Sequence, residues 1–361
     1  MNALSGDYTL ITGGAGFVGS NLASRLLDEG RAVTIYDSLS RPGSERNLRW
    51  LRARHGEKLR VRIGDTRDVQ ALREAVSGAS QVFHFAAQVA VTSSLLDPVL
   101  DFDINLRGTL NVLEAVRTLR RPPPLVFTST NKVYGALPDV RLRRETARYE
   151  PEDAELREYG ISETRPLDFH SPYGCSKGGA DQYVLDYARS FGISAVVLRM
   201  SCIYGPRQFG NEDQGWVAHF LIRALQGDAI TLYGDGAQVR DILFVEDLVE
   251  AMLLAQLGMS ELCGRAFNIG GGAHNAISLL ELLQRMAALM DETPRVTYAP
   301  WRVGDQRWYV SDTRAFERAT GWQPRVSIDQ GLRELHAWLH ALHAESEHIP
   351  EEQGIAGAHA A

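Results

Sequence analysis

The feature that most restricts the fold is a glycine-rich turn that follows directly on the first apolar run of the chain. The run YTLITG (8–13) is typical of a strand and continues into TGGAGFVGS, in which Gly13, Gly16 and Gly19 form a GxxGxxG pattern. Glycines let the backbone approach a pyrophosphate without a Cβ, and the N-terminus of a following helix presents free N–H groups to that anion. Since a strand precedes the turn and a helix-like segment follows it, the pattern predicts the first βαβ unit of a dinucleotide-binding domain.

Strand-like and helix-like segments alternate over the first 200 residues. Further strand-like runs lie at 32–37, 59–65, 81–87, 124–130 and 194–200. Helix-like segments lie at 18–29, 68–76, 102–119 and 173–191. Nearly continuous apolar strands that alternate with helices predict a parallel sheet covered on both faces.

The second half of the chain is less regular. We expect a seventh strand near Phe267 and helices over 216–225, 277–290 and 331–343. The predicted fold class is α/β, a Rossmann-type doubly wound parallel sheet with a smaller interleaved α/β substrate domain. Two long loops, at about 138–170 and 205–215, are of the kind that shapes substrate sites.

These segments predict three parts of the chain. The first, dinucleotide-binding domain is expected to comprise 1–200 and about 236–273. The second, smaller substrate domain is expected to comprise about 201–235 and 274–343. Residues 344–361 lack apolar periodicity, and we expect them to form a flexible tail.

Carboxylates at two strand ends indicate how the adenosine is bound. Asp37 ends the second strand and can accept hydrogen bonds from both ribose hydroxyls, which favours NAD over a 2′-phosphorylated cofactor. Arg41 and Arg46 leave the second possibility open, since an arginine can accommodate the phosphate. Asp65 ends the third strand and is placed to accept from the adenine amino group, or else to cap the helix at 68–76.

The dinucleotide is expected to contact residues at or just beyond the strand ends. These are Gly13, Gly16, Phe17, Val18, Gly19, Asp37, Ser40, Arg41, Asp65, Thr66, Phe85, Ala86, Ala87, Gln88 and Ser201.

A tyrosine and a lysine one helical turn apart supply the candidate acid–base chemistry. Tyr173 and Lys177 are spaced i, i+4 and share a helix face. A phenol near its usual pKa of about 10 is a poor base at neutral pH, so we expect Lys177 and a positive nicotinamide ring to favour the phenolate. Thr130 ends the fifth strand, where its hydroxyl can orient the same substrate oxygen.

Composition argues against several other classes of protein. The net charge is −7, and the short basic run 141–144 is followed by Glu145, so we expect neither nucleic acid nor membrane as a partner. The three cysteines are widely spaced and form no CxxC pair, so we expect neither a metal site nor disulfides. The N-terminus has no signal-peptide pattern, and we expect a cytoplasmic protein.

Together TGGAGFVG, the VYG that follows a Ser/Thr strand end, and YGCSK resemble the extended short-chain dehydrogenase/reductase family over about residues 7–340. The resemblance implies that Thr130, Tyr173 and Lys177 are the catalytic triad, with Tyr173 as the proton-transferring base. It implies that Lys177 and Tyr173 also contact the cofactor, NAD, and that Asn105 is the helix asparagine near the active site. Helices 102–119 and 173–191 resemble those that form a four-helix interface in this family, which implies a homodimer or a homotetramer.

Local differences within the family narrow the reaction. Dehydratases carry Asp-Glu after the catalytic Thr, whereas this chain has Asn131 and Lys132. UDP-galactose 4-epimerases usually carry an asparagine where Cys202 stands. Longer stretches, such as STNKVYG (129–135) and 167–192, resemble the CDP-paratose/CDP-tyvelose 2-epimerase group.

This narrower resemblance implies an NAD-dependent nucleotide-sugar 2-epimerase, for which a CDP-sugar is the favoured substrate. A 4-epimerase or decarboxylase on the same scaffold, and a non-catalytic NAD-binding sensor, remain alternatives. The residues expected to contact substrate are Asn131, Lys132, Gln208, Gln214, Trp216, Arg240, Arg302 and Asp305. Arg240 and Arg302 suit a diphosphate, although salt bridges with Asp241 or Asp305 are an alternative role for them.

Overall fold

The computed structural model of the chain describes residues 8–302 and 304–347. The strands are β1 (Tyr8–Thr12), β2 (Val33–Asp37), β3 (Leu59–Ile63), β4 (Ala79–His84), β5 (Leu125–Thr130), β6 (Leu142–Arg144), β7 (Tyr149–Pro151), β8 (Ala195–Met200), β9 (Cys202–Tyr204), β10 (Ile230–Tyr233), β11 (Val239–Phe244), β12 (Ala266–Ile269), β13 (Ala276–Ser278), β14 (Val296–Ala299) and β15 (Trp308–Tyr309). The helices are α1 (Phe17–Asp28), α2 (Ser44–His55), α3 (Val69–Ser77), α4 (Val91–Leu96), α5 (Pro98–Phe102), α6 (Gly108–Arg117), α7 (Ala154–Tyr159), α8 (Ser171–Phe191), α9 (Trp216–Leu225), α10 (Val245–Leu257), α11 (Met259–Leu262), α12 (Leu279–Met290), α13 (Arg314–Thr320) and α14 (Ile328–Glu347).

Seven strands form one parallel sheet in the order β12-β8-β5-β4-β1-β2-β3. The strand order reverses between β1 and β4, so the loops after these two strands diverge and leave a crevice at their carboxyl ends. All seven strands that the sequence predicts for this sheet are present.

Apolar helix faces cover both sides of this sheet. Leu22 of α1 and Met252 of α10 belong to the core on one face. Leu72 of α3, Val112 of α6 and Val184 of α8 belong to the core on the other face. The sheet is therefore buried on both sides, as its nearly continuous apolar strands predict.

A second core lies beside the large sheet. It is built from α9, β10, β11, α12 and α14 around buried side chains such as Phe244 and Leu335. Strand β11 lies in the segment predicted for the NAD-binding domain, yet it pairs with β9, β13 and β15 instead of the seven-stranded sheet. The chain therefore crosses between the two units within 236–273.

Three predicted segments differ in detail from the structure. The helix expected over 102–119 begins earlier, as α5, and passes through one wide π-helical turn (Asp103–Arg107) before α6. The loop expected over 138–170 contains the β6–β7 hairpin and α7. Helix α14 continues to Glu347, so the first residues of the expected tail are helical, and residues 348–361 lie outside the described residues. Within the described part of the chain, no helix has the length and apolarity needed to span a membrane.

Candidate active site

The glycine turn closes tightly on the end of β1. Gly13 has φ +70°, and a Cβ there would lie 2.7 Å from the backbone nitrogen of Ala86. A Cβ on Gly19 would collide with the carbonyl oxygen of Gly13. The N-cap residue of α1 is Gly16, which has no side chain to accept a hydrogen bond. The N–H groups of the first turn of α1 therefore face the crevice uncapped. This arrangement fits the pyrophosphate of a dinucleotide.

Asp37 braces the same turn. One carboxylate oxygen accepts from the backbone N–H of Ala15 at 2.9 Å, and the other accepts from Leu39 N–H at 2.8 Å. Burial raises the pKa of Asp37, while these backbone donors lower it. The carboxylate thus lies beside the glycine turn, where the adenosine ribose is expected. Ser40, further along the loop, is exposed, and its hydroxyl pairs with Ser38 at 3.0 Å.

Asp65 is not a helix cap. The cap of α3 is Asp68, whose side chain accepts from Gln70 N–H and Ala71 N–H, so the alternative role of Asp65 is wrong. Arg67 holds the Asp65 carboxylate at 2.7 Å and lowers its pKa. Thr66 beside it is buried, and its carbonyl accepts from Asn111 at 2.9 Å.

The segment after β4 forms the opposite wall of the crevice. Phe85, Ala86 and Ala87 are half-buried there, and the backbone N–H of Gln88 donates to the side-chain oxygen of Asn105 at 2.9 Å. Asn105 lies in the wide turn before α6 and is 1% exposed. Because its amide is fully engaged with protein groups, Asn105 fixes the wall of the crevice from behind.

Thr130, Tyr173 and Lys177 come together at the carboxyl end of β5. Lys177 donates to the carbonyl of Thr128 at 2.6 Å, and its ammonium nitrogen lies 4.3 Å from the centre of the Phe127 ring. The Thr130 hydroxyl interacts with the Tyr173 phenol and lowers its pKa. The structure therefore brings together the three residues that the sequence singles out as catalytic.

Burial dominates the charge state of this group. It raises the pKa of Tyr173 to about 12, against the opposing effects of Thr130 and Arg41. It lowers the pKa of Lys177 to about 7, while Asp181 and Asp101 raise it. In the protein alone Tyr173 is a neutral phenol, so a further positive charge must reach the site before the tyrosine can act as a base.

Arg41, an exposed residue on the loop after β2, lines the cavity beside the glycine turn and is close enough to Tyr173 to influence it. Its charge lowers the pKa of the phenol, which was not foreseen from the sequence. The loop position of Arg41 gives no sign of this contact, since more than 130 residues separate the two side chains.

Two further side chains near the trio are not predicted from the sequence. His84, at the end of β4, lies between the hydroxyls of Thr12 (2.6 Å) and Thr109 (3.0 Å), and burial lowers its pKa to about 3. Asp101, on α5, is 1% exposed and lies against α8. Neither residue belongs to a short motif, so only the folded contacts reveal them.

Asn131 and Lys132 follow Thr130 and are directed toward the second unit. The Asn131 side-chain oxygen accepts from the Thr130 hydroxyl at 3.3 Å. Lys132 donates to the carbonyl of Gly304 at 3.2 Å. Burial, together with the charge of Arg240, lowers the pKa of Lys132 to about 8, while Asp305 raises it. A second cationic group therefore lies close beside the candidate catalytic trio.

Arg240 is buried on β11 beside Lys132. Its guanidinium donates to the carbonyl of Val239 at 2.8 Å, and no carboxylate of the described residues forms an ion pair with it. The alternative of a salt bridge with Asp241 is therefore wrong for Arg240. Instead, the Asp241 carboxylate accepts a hydrogen bond from the Ser201 hydroxyl, and Ser201 therefore lies behind the crevice. Two neighbouring cations without a buried carboxylate between them suit an anionic ligand.

The loop 205–215 connects the glycine turn with the second unit. Gln208 is 6% exposed, and its side-chain oxygen has no partner among the described residues. Gln214 closes the loop through backbone hydrogen bonds with Asn211. Trp216 is the first residue of α9, and its indole lies beside the Cys202 thiol. Gly16, Phe17, Arg41, Gln208 and Gln214 line one cavity between the loop and the first domain. The loop thus borders both the expected cofactor site and the expected substrate site.

Arg302 has partners that its sequence context does not predict. It donates to the Glu212 carbonyl at 2.9 Å and lies 3.6 Å from an Asp213 carboxylate oxygen. Its guanidinium carbon lies 3.6 Å from the centre of the Tyr233 ring. The alternative pairing with Asp241 or Asp305 is therefore wrong for Arg302. No group of three or more His, Cys, Asp or Glu side chains in the described ranges could hold a metal ion.

Comparisons with known proteins agree with this geometry. The model of the NAD dependent epimerase/dehydratase family matches residues 9–270. The sequence is 43% identical to CDP-paratose 2-epimerase of Salmonella typhi, over 92% of this chain and 99% of the relative. It is 33% identical to dTDP-glucose 4,6-dehydratase of Streptomyces griseus, over 92% of this chain and 94% of the relative. A solved structure, that of Thermus thermophilus UDP-glucose 4-epimerase in complex with NAD, matches with a TM-score of 0.77 and 34% sequence identity. The match covers 92% of this chain and 99% of the epimerase chain.

Proposed function

The chain belongs to the NAD dependent epimerase/dehydratase family, and we propose that it is an enzyme that inverts C2 of a nucleotide-linked sugar with NAD as its cofactor. The observation that carries the proposal is the pair that follows Thr130. Asn131 and Lys132 lie at the site and supply no carboxylic acid to protonate a leaving hydroxyl, although a dehydratase is among the relatives. The 43% identity to a CDP-paratose 2-epimerase supports C2 as the reacting carbon.

We assign acid–base work to Tyr173 and positioning to its neighbours. The phenolate accepts the proton of the sugar hydroxyl and later returns it to the oxygen of the keto sugar. Thr130 donates to the same oxygen and orients it, while Lys177 holds positive charge beside the phenol. The glycine turn and Asp37 would hold NAD, which when bound would supply reversible hydride transfer at the sugar carbon. Tyr173 would ionise more readily beside the positive ring of the cofactor, because such a charge lowers the pKa of a buried phenol.

Inversion requires that the sugar turns over while the nucleotide stays bound. Arg240 and Lys132 supply positive charge without a buried carboxylate partner, and we propose that they hold the diphosphate. Arg302 exchanges its contacts with Glu212 and Asp213 for the substrate. Gln208, Gln214 and Trp216 then border the nucleotide from the loop. A firm grip on the diphosphate leaves the sugar free to present either face.

A CDP-sugar is the substrate we favour, because the relative with 43% identity acts by its name on CDP-paratose. We further propose a cytoplasmic homodimer, or a tetramer built from it. Helices α4, α5 and α8 carry exposed apolar side chains on the side that faces away from the sheet. Their exposed fractions are 88% for Leu96, 71% for Val99, 44% for Phe102, 44% for Tyr183 and 51% for Phe191. A second copy would remove this surface from water.

The test is turnover in D₂O, followed by NMR, with a panel of CDP-, GDP- and UDP-sugars. We expect inversion at C2 of one substrate, with no solvent deuterium at carbon, because the hydride returns from the cofactor. Incorporation of solvent deuterium at C2 would contradict a mechanism of transient oxidation and hydride return. Inversion at C4 alone would assign the protein to the 4-epimerases, and NAD binding without turnover of any sugar would favour a sensor.

A further inference from the structure

A buried carboxylate, Asp101, lies behind the candidate catalytic helix. It accepts hydrogen bonds from the Ser176 hydroxyl at 2.5 Å and from the Asn105 amide at 3.1 Å. Ser176 precedes Lys177 and lies one helical turn after Tyr173, so these three residues share a face of α8. Asp101 therefore touches the helix at the level of both candidate catalytic side chains.

The same carboxylate is linked to the wall of the cofactor crevice. Asn105 donates to Asp101 and to the Ser176 hydroxyl, the latter at 3.1 Å, and accepts from the backbone N–H of Gln88. Asn105 can do this because the wide turn Asp103–Arg107 redirects it out of the register of a regular helix. One hydrogen-bonded chain thus runs from the segment after β4, through Asp101, to α8.

Asp101 also differs in charge balance from the other carboxylate near Lys177. Asp181 is held by Arg199 through two hydrogen bonds of 2.9 Å, so its charge is already paired. No arginine or lysine of the described residues forms an ion pair with Asp101, whose electrostatic partner is Lys177. A buried carboxylate of this kind is costly unless its charge is used.

We propose that Asp101 is a positioning residue for the proposed epimerisation: through Ser176 it holds the Tyr173–Lys177 face of α8, and its charge favours the ammonium form of Lys177. The inference rests on the proposed function for its catalytic meaning. Its geometric and electrostatic parts concern the protein with NAD bound and are measurable without substrate.

The sign of the charge effect follows from the groups that face the pair. Lys177 is faced by Asp101 from α5, Asp181 from α8 and His84 from β4, and burial keeps His84 neutral. The Asp101 charge raises the pKa of both Lys177 and Tyr173. Removing that charge must therefore move the ionisation of both groups to lower pH.

The phenol is subject to two further influences. Thr130 from β5 and Arg41 from the loop after β2 lower the pKa of Tyr173. Both stay in place when Asp101 is changed, so the shift isolates the effect of the carboxylate.

The test compares Asp101→Asn with Ser176→Ala and with Asp186→Asn as the matched control. Asp101→Asn keeps the size of the side chain and one of the two acceptors that Ser176 and Asn105 use, so the fold should persist. Asp186 is exposed on the same helix, where solvent screens its charge. Each variant is purified with NAD, and kcat is measured across pH with the sugar that the wild type turns over. In Asp101→Asn we expect both the acidic and the alkaline limb of the plot of kcat against pH to move to lower pH by about one unit.

Ser176→Ala separates the two parts of the proposal. It removes the hydrogen bond and leaves the charge, so we expect kcat to fall about tenfold while the limbs stay within about 0.3 pH unit of the wild type. Asp186→Asn should match the wild type in both kcat and profile. A purely structural role for Asp101 would lower kcat with no movement of the limbs, and that result would overturn the proposal.

A second measurement does not depend on turnover. The chain has three lysines, Lys58, Lys132 and Lys177, so side-chain ¹⁵N-labelled lysine gives a spectrum that single Lys58→Arg and Lys132→Met variants assign. In the NAD-bound protein, the Lys177 titration should move down by about one pH unit in Asp101→Asn and stay in place in Asp186→Asn. If no sugar is turned over but the titration moves, the proposed function fails and the role of Asp101 stands. An unmoved titration contradicts that role whatever the substrate.

Discussion

Lys177 donates a 2.6 Å hydrogen bond to the backbone carbonyl of Thr128, two residues before Thr130 on the same strand. The bond attaches α8 to β5 where the candidate catalytic side chains meet. It also helps to enclose Lys177, which is 4% exposed as a whole residue. Catalytic geometry and folding stability therefore make opposite demands on this lysine.

Lys177→Met should stabilise the fold while it abolishes turnover. Burial lowers the pKa of Lys177 from 10.5 to about 7, so the unfolded chain binds the proton more tightly between these values. The free energy of unfolding therefore decreases as pH falls from 10.5 to about 7, because the folded protein must bury a charge that the unfolded chain exposes to water. Below about pH 7 the full cost of burying the Lys177 charge is present. After allowance for the lost hydrogen bond, we expect a gain on the order of 2 kcal/mol at pH 7, measured by urea unfolding.

Lys58→Met is the matched control, because Lys58 is exposed and should change neither stability nor rate. Turnover in Lys177→Met should fall by about three orders of magnitude. A destabilised Lys177→Met protein would show that the hydrogen bond to Thr128 outweighs the cost of burying the charge.

Lys132→Met should impair substrate binding more than NAD binding. The Lys132 ammonium lies beside Arg240, and burial holds its pKa at about 8. Without it, KM should rise about 10- to 100-fold while the NAD content of the purified protein stays unchanged. In the wild type, the ammonium form is lost as pH rises through about 8, so KM should also rise above that pH. An unchanged KM in steady-state assays would remove Lys132 from the diphosphate site.

Asp181→Ala should destabilise the protein strongly. The Asp181–Arg199 pair is nearly inaccessible to solvent, and removing one partner leaves a buried charge alone. Such a change costs about 3–5 kcal/mol, to be measured by urea unfolding. Asp28→Ala, which breaks the exposed pair with Arg54, should cost less than about 1 kcal/mol. Equal losses in the two variants would contradict the assignment of Asp181 as a buried structural anion.

The sequence predicts those parts of the site in which local chain chemistry and position coincide. Gly13 and Asp37 are recognisable because a strand end must be followed by a specific backbone turn or a specific acceptor. Tyr173 and Lys177 are recognisable because one helix fixes their spacing. Each of these signals lies within a few residues of chain.

Contacts between distant segments leave no such signal. The approach of Arg41 to Tyr173, and the pairing of Arg302 with Glu212, depend on how separate loops pack across the crevice. The sequence predicts a regular helix through Asp103–Arg107, because the apolar side chains there keep helical spacing, whereas the structure has a wide π-helical turn. Asp101 precedes this turn and belongs to no short motif, so only the folded contacts reveal that it is buried.

Loop 205–215 should slow the release of NAD. The Asn47 amide donates to the carbonyls of both Ala15 in the glycine turn and Arg207 in the loop, each at 3.2 Å. The Arg207 guanidinium carbon lies 3.8 Å from the centre of the Trp50 ring and 5.6 Å from that of Trp338 on α14. The loop is thereby attached to the first domain and to the second one, over the place where the pyrophosphate is expected.

Arg207→Ala should therefore accelerate the exchange of bound NAD by about tenfold, the factor expected when a partly desolvated cation–π contact is lost. The measurement is the release of labelled NAD into an excess of unlabelled cofactor after gel filtration. Arg49→Ala, which removes an exposed arginine from α2, should exchange at the wild-type rate. Because neither residue belongs to the candidate catalytic trio, kcat at saturating NAD should change little in both variants. Equal exchange rates in Arg207→Ala and wild type would mean that the glycine turn and Asp37 retain the cofactor without help from the loop.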